Sequence, residues 1–144
     1  MKSNMTKEET CAYLGGIIDG EGCVQIGKST WNGRFYYRCQ VEVTSTDHAL
    51  IFWLHDIAGG SVGQHTANHA WKEAWRWTLS ASHDVLTLLN LVLPYSIIKE
   101  ERIKLAIRFI CRQKGDEGLT HYNEMKVLNK KCGHQNDLEV PNAK

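Results

Sequence analysis

Tyr13-Leu14-Gly15-Gly16-Ile17-Ile18-Asp19-Gly20-Glu21-Gly22 is the stretch on which the fold turns. It packs four glycines, two acids and four large apolar residues into ten positions. Ala12, Gly16 and Gly20 recur every four residues, so on a helix they form one bare stripe. Leu14, Ile17 and Ile18 fall on another side and can enter a core. A glycine inside a helix costs about 1 kcal/mol against alanine, so Gly15, Gly16 and Gly20 need a reason. Close approach of a second helix supplies one, because a missing side chain lets two backbones touch. Gly22 stops the helix. Glu21 then sits among unpaired carbonyls at the negative pole of the helix dipole, a poor place for a carboxylate unless a cation binds there.

Other uses of such a stretch fit less well. Gly20-x-Gly22 lacks the third glycine of a dinucleotide fingerprint. Asp19 and Glu21 match the first two ligands of an EF-hand loop, but Val24 stands where that loop needs glycine. A membrane Gly-x-x-x-Gly helix would not carry acids inside so short an apolar run.

The 144 residues suit one domain with a real core, and 42% hydrophobic against 23% charged residues is an ordinary globular balance. No apolar run reaches membrane length, and Met1 to Thr10 is polar, without a signal-peptide core. Five scattered cysteines, an odd number, read as reduced thiols in a reducing, intracellular compartment. Cys111, His121, Cys132 and His134 do not have the spacing of a usual zinc site. The net charge of +1 argues against a simple electrostatic nucleic-acid binder. Basic residues nevertheless cluster locally. Lys99, Arg102, Lys104, Arg108, Arg112 and Lys114 face only Glu100 and Glu101 over residues 99–114, and Lys28, Arg34 and Arg38 face no acid over residues 28–38.

In chain order, Thr6-Lys7-Glu8-Glu9 is a capping box that opens the first helix. Residues 23–29 alternate as a strand, with Val24 and Ile26 on one face and Gln25, Gly27 and Ser29 on the other. Residues 30–33 turn, with Asn32-Gly33 as the hairpin signal. Residues 34–46 make the clearest strand. Phe35, Tyr37, Cys39, Val41 and Val43 point inward, and Arg34, Tyr36, Arg38, Gln40, Glu42 and Thr44 point outward. A second helix runs from Thr46-Asp47 to about Ile57, with Leu50, Ile51, Trp53, Leu54 and Ile57 apolar, and ends at Gly59-Gly60. Strands follow at 61–66 and 71–80, joined through residues 67–70. The second carries Trp75, Trp77 and Leu79 inward and Lys72, Ala74, Arg76 and Thr78 outward. A third helix closes at Pro94. A fourth runs from Ile97 to about Cys111 with Ile98, Ile103, Ala106, Ile107 and Ile110 inward and its Lys and Arg outward. Residues 119–131 form a last helix. The reading gives a single domain over 6–131 and a loose tail over 132–144. The order helix, two strands, helix, two strands, helices predicts an α+β domain with one antiparallel four-stranded sheet, helices on one face and the other open to a partner.

Residues 14–22, L-G-G-I-I-D-G-E-G, resemble the LAGLIDADG motif of homing endonucleases, with Glu in place of the second Asp. The resemblance covers roughly residues 10–112. It implies the α-β-β-α-β-β-α fold of that family, with a saddle-shaped sheet straddling double-stranded DNA. One motif per chain implies a homodimer, in which the Ala12, Gly16 and Gly20 stripes of two copies pack at a twofold axis. It implies Mg²⁺-dependent cleavage of a long pseudo-palindromic site, with Ca²⁺ as a non-cleaving substitute. Glu21 and the Gly20 carbonyl become the metal ligands, Asp19 a mainly structural acid. Ser45 matches a position that orders water in the family, where Gln is common, and Lys99 follows Pro94-Tyr95 as the family lysine does. With a β-ribbon in the major groove, the outward side chains Gln25, Ser29, Arg34, Tyr36, Arg38, Gln40, Glu42, Lys72 and Arg76 become the DNA-reading set. Maturases that act on intron RNA, and non-cleaving DNA binders of the same family, share the motif and form the alternative.

Overall fold

The computed structural model describes residues 4–65 and 73–132. The turn expected at 67–70, Trp71, Lys72 and the tail from Gly133 lie outside the described residues.

Helix α1 (Lys7–Glu21) starts at the anticipated box. The Glu9 amide donates to Thr6 Oγ1 at 3.1 Å and the Thr6 amide to Glu9 Oε1 at 2.8 Å. It ends at Gly22, where a Cβ would lie 2.9 Å from Ile18 Cα, so only glycine fits. Strand β1 (Gly22–Trp31) leaves without a linker and pairs with β2 (Arg34–Ser45) from Gly22↔Val43 to Trp31↔Arg34. The hairpin turns on two residues, Asn32 (φ 53°) and Gly33 (φ 74°). Positive φ at both is the primed turn that matches strand twist. The turn is therefore tighter than the expected 30–33, and Thr30 and Trp31 join the strand.

Helix α2 (His48–Ala58) is capped by Asp47, whose Oδ1 accepts from the Ala49 amide at 3.0 Å. It stops at Gly59-Gly60, both at positive φ. The Gly59 carbonyl accepts from Trp77 Nε1 at 2.6 Å, which satisfies the polar atom of a fully buried indole. Strands β3 (Ser61–His65) and β4 (Ala74–Leu79) are antiparallel, and the sheet order is β1-β2-β4-β3. Helix α3 (Ser82–Val92) runs into a 3-10 turn at Leu93–Tyr95, then α4 (Glu100–Ile110) and α5 (Leu119–Cys132).

One face of the sheet carries the core. Val24, Ile26, Cys39, Val41, Val43, Trp77 and Leu79 are buried there under Ile17, Ile18, Ile51, Leu54, Leu89, Ile103 and Met125 from the helices. Several expected inward positions differ. Phe35 is 56% exposed because the hairpin projects past the helical layer, and Lys28 Nζ lies 4.4 Å from its ring centre. Ile57 is exposed at the last turn of α2. Ile98 is exposed too, since α4 begins only at Glu100. Arg102, expected outward, is buried at 4% exposure between α4 and α5. Its Nη2 donates to the Leu128 carbonyl at 3.0 Å and its Nη1 to the Ile98 carbonyl at 3.5 Å.

Helix α5 lies beside the outer edge of β1. Met125 is buried beneath it, the Tyr122 ring sits 5.1 Å from that of Tyr37, and Asn129 Nδ2 donates to the Val24 carbonyl at 3.2 Å.

Candidate nucleic-acid interface and active site

The open face of the sheet follows from strand register. Cys23, Gln25, Gly27 and Ser29 on β1 stand opposite Glu42, Gln40, Arg38 and Tyr36 on β2, and Glu42 and Thr44 stand opposite Thr78 and Arg76 on β4. Because side chains alternate, all of these project away from the core. Arg34, Tyr36, Arg38 and Ser29 are exposed, and Gln25, Gln40, Glu42 and Arg76 half-buried. The polar side chains constrain one another. Gln40 Nε2 donates to Glu42 Oε2 at 3.0 Å. Arg76 Nε donates to Thr44 Oγ1 at 3.4 Å, and its Nη2 lies 3.4 Å from His65 Nε2. Eight of the nine expected DNA-reading residues thus share one face, and the ninth, Lys72, lies outside the described residues.

At the margin of this face, α1 ends beside the start of α4. Asp19 fastens the two. Its Oδ1 accepts from Ser96 Oγ at 2.6 Å and the Lys99 amide at 3.1 Å, its Oδ2 from the amides of Ile97 at 2.7 Å and Ile98 at 3.1 Å. The amide donors at the entry of α4 would otherwise lack partners. Partial burial pushes the Asp19 carboxyl up, but these hydrogen bonds outweigh it and hold the group below its ordinary 3.8. The lysine side chain closes the link from the other direction, Lys99 Nζ donating to the Asp19 carbonyl at 2.7 Å. Gly15 belongs to the same junction. A Cβ there would lie 2.9 Å from Tyr95 Cβ, so glycine lets the 3-10 turn press against α1.

Past this junction, Gly20, Glu21, Lys99 and Arg102 line one groove of about 1060 Å³ that runs between β1 and α5. Glu21 is exposed and Lys99 half-buried. Ser45 is not among the groove's residues. It sits at the end of β2, paired with Trp75, and its Oγ accepts from the Asp47 amide at 3.0 Å. The structure brings Glu21, Gly20 and Lys99 into one groove; Ser45 does not line it, its Oγ engaged in the turn into α2, although the Gly22↔Val43 pairing sets the end of β2 alongside the end of α1.

No family sequence model and no curated protein sequence matches the chain. Solved structures do. The homing endonuclease I-CvuI, in complex with the I-CreI target in 2 mM Mg with the DNA not cleaved, matches 87% of this chain and 80% of its own, with TM-score 0.69 and 20% identity. The archaeal intron-encoded homing endonuclease I-Vdi141I, complexed with DNA, matches 90% of this chain and 89% of its own, with TM-score 0.73 and 12% identity. The fold is that of the LAGLIDADG homing endonucleases. A third member of that fold, I-SmaMI bound to cleaved DNA, matches 85% of this chain with TM-score 0.66 and 16% identity. This chain spans only 43% of it.

Within the LAGLIDADG fold, the donors around Glu21 can be tested as a metal site. A carboxylate and the neighbouring Gly20 carbonyl are hard oxygen ligands of the kind Mg²⁺ and Ca²⁺ take. Among the described residues, no group of three or more His, Cys, Asp and Glu is placed to hold a metal ion. A carboxylate and a carbonyl are fewer oxygen ligands than either cation takes, so these two donors alone do not make a complete site. The zinc arrangement considered for Cys111 and His121 finds no support among the described residues, and His134 lies outside them.

Reading the sequence missed Tyr95, Ser96, Arg102 and Asn129. Ser96 meets Asp19 across 77 residues of chain and Asn129 meets Val24 across 105. No local pattern announces either contact. The signal nearest to hand was Arg102, which stands at i, i+3, i+4 and i+7 spacing with Leu105, Ala106 and Phe109 and so interrupts the apolar face of α4.

Proposed function

We propose that the chain is a site-specific double-strand DNA endonuclease, acting as a homodimer with Mg²⁺ on a long pseudo-palindromic site. The observation that carries this is the position of Glu21. It lies in one groove with Lys99, at the margin of a sheet face lined by Arg38, Gln40 and Arg76, where a duplex on that face would present its backbone.

Glu21 and the Gly20 carbonyl hold the metal in this reading, with Ca²⁺ supporting binding but not cutting. When bound, Mg²⁺ supplies an activated water and shields charge on the departing oxygen. Lys99, tethered to the Asp19 carbonyl, brings a cation to the groove where negative charge grows on the phosphoryl group. Asp19 stays ionised and fixes the spacing of the ends of α1 and α4. The outward strand residues read base edges. Arg38 is exposed with its guanidinium available for guanine, whereas Gln40 offers adenine an amide already donating one hydrogen to Glu42. Thr44 and Arg76 act as a pair.

Two observations support the homodimer. A Cβ at Gly16 or Gly20 would meet nothing within 4 Å, so nothing inside one copy requires glycine there. The chain also spans 43% of I-SmaMI, the length of one half of that protein. A reducing compartment suits the thiols: Cys11, Cys23, Cys39 and Cys111 are unpaired, and burial pushes Cys39 up to about 12.

The test is to incubate the purified chain with a randomised duplex library in Mg²⁺, in Ca²⁺ and in chelator. Cuts confined to related, near-palindromic sites and to the Mg²⁺ arm are expected. Retention of such sites without cutting in Mg²⁺ would favour a non-cleaving DNA binder, and preference for folded intron RNA a maturase.

A further inference from the structure

Helix α5 and the rim of β1 carry a set of cations that neither the motif nor the reading face uses. The groove beside Glu21 is lined by Lys28, Lys99, Arg102, Lys126 and Lys130, against the two acids Asp19 and Glu21. Asp19 is already engaged by four donors. Lys126 and Lys130 are exposed and four residues apart, hence on one face of α5. The acid of that helix, Glu124, lies about 200° round from Lys126 and does not line the groove. Among the described residues, the ion pairs found are those of Lys104 with Glu100 and Glu101, on α4. Lys28 and Lys126 instead flank one ring, with their Nζ atoms 5.7 Å and 5.5 Å from the centre of Tyr122. Deeper in, Arg102 is buried and its Nε has no partner, an uncommon state for so polar an atom.

The helix is fixed, not merely adjacent. Arg102 holds the Leu128 carbonyl, Asn129 holds the Val24 carbonyl, and Met125 is buried. Its cations are therefore presented at a set distance from β1. The groove also reaches Cys23, Gln25 and Gly27 of the open sheet face, so the two surfaces are continuous. A line of cations beside a base-reading face fits a polyanion that runs along both.

We propose that α5 is a sugar-phosphate track, in which Lys126 and Lys130, with Lys28 at the rim of β1, contact consecutive phosphates of the duplex whose bases face the sheet. This rests on the DNA reading above. It gives α5 a share of the affinity and none of the sequence preference, since phosphate contacts position a duplex without reading it. It also explains how a chain of net charge +1 can bind DNA: the cations are gathered on one rim.

The experiment measures duplex binding by fluorescence anisotropy against salt. The arms are the parent, Lys126→Gln/Lys130→Gln, the double arginine variant at the same positions, and a charge-matched control, Lys7→Gln/Lys114→Gln, at exposed lysines outside the groove. Each phosphate contact contributes about 0.9 to the slope of log K against log salt. In the homodimer the double Gln variant removes four such contacts and should lose about 3.6 of that slope, so between 50 and 200 mM salt its affinity falls about 150-fold less than the parent's. The arginine variant should keep the parent slope, the control should keep most of it, and site preference should be the same in all arms. A parent that binds duplex DNA while the double Gln variant keeps its slope, or loses no more than the control, overturns the track alone. A changed base preference in the double Gln variant overturns it as well. A parent with no salt-dependent duplex binding, or one that takes duplex RNA instead, overturns the DNA reading and the track together.

Discussion

Replacing Asp19 by asparagine isolates the junction between α1 and α4. The aspartate presents two oxygens, each taking two donors: Ser96 Oγ and the Lys99 amide on Oδ1, the Ile97 and Ile98 amides on Oδ2. Asparagine keeps one oxygen and turns an NH₂ group toward two N–H or O–H donors. Two charge-assisted bonds are lost, and the other two become neutral. A hydrogen bond to a charged group contributes about 1.5–3 kcal/mol, a neutral one about 1. Simple addition therefore overstates the loss. The site is only half-buried, and water can serve the released amides, as at ordinary helix caps where such substitutions cost about 0.5–2 kcal/mol. A loss of about 2 kcal/mol results, at the upper end for a cap because four donors converge. The pH dependence gives a second readout. The folded carboxyl is held below its ordinary 3.8, so its stabilisation is complete above the unfolded value and disappears as pH falls through the folded one. Urea denaturation at fixed protein concentration should show the full parent–variant gap at pH 7 and pH 5.5, narrowing below about pH 4 as the parent carboxyl takes up its proton. A gap under about 0.5 kcal/mol at pH 7, where surface substitutions fall, or one that widens on acidification, would refute the account of Asp19 as the fastener.

Other outcomes follow from single residues. Glu21→Gln keeps the shape of the side chain without its charge; Mg²⁺-dependent cleavage should vanish while duplex affinity in Ca²⁺ stays within about threefold, a ratio below the tenfold that about 1.4 kcal/mol represents. Gly16→Leu should yield a folded monomer in sedimentation, because the added side chain meets open space within one copy and collides only with a second. Arg38→Ala should alter which sequences are cut, at about 1–3 kcal/mol for the base pair concerned, whereas Arg108→Ala should leave the cleavage profile unchanged. Trp77→Ala removes the largest fully buried side chain among the described residues and strips the Gly59 carbonyl of its donor, so a destabilisation of about 3–5 kcal/mol is expected in the same denaturation assay.

Elements whose determinants lie within a few residues were legible in the sequence. The capping box at Thr6, the Asn32-Gly33 turn and the alternation from Tyr37 to Val43 each correspond to structure at the expected places. The motif correctly put Gly20 and Glu21 at the end of α1, and the spacing after Pro94 put Lys99 in the same groove. What escaped was tertiary. Alternation showed that Phe35 shares a face with Val41 but not that the helical layer ends short of it. An arginine on an amphipathic helix reads as solvated, yet Arg102 finds the Leu128 carbonyl and turns inward. The bare stripe of α1 suggested one reason for its glycines, and the structure supplies a different one at Gly15. Gly15 yields to Tyr95 inside the chain, while Gly16 and Gly20 face open space. Ser45 was assigned from its place near the end of the second strand, which could not show the bond its Oγ accepts from the Asp47 amide.

The docking of α5 on β1 also has a consequence in time. With the order β1-β2-β4-β3, β1 is a ten-residue edge strand, and its outer rim presents unpaired backbone groups to any other strand that approaches. The contact that covers it, Asn129 to the Val24 carbonyl, joins residues 105 positions apart. At about 5–20 residues per second of synthesis, the hairpin waits roughly 5–20 s after Val24 is made before Asn129 is added. During that interval the nascent chain carries an uncovered strand edge with exposed Trp31 and Phe35 at its tip. Lys28 in β1, and Arg34 and Arg38 in β2, already stand on this ribbon, and their charge discourages a neighbouring ribosome's product from pairing with it. The side chains proposed above to meet DNA would thus also act as gatekeepers while the chain is being made.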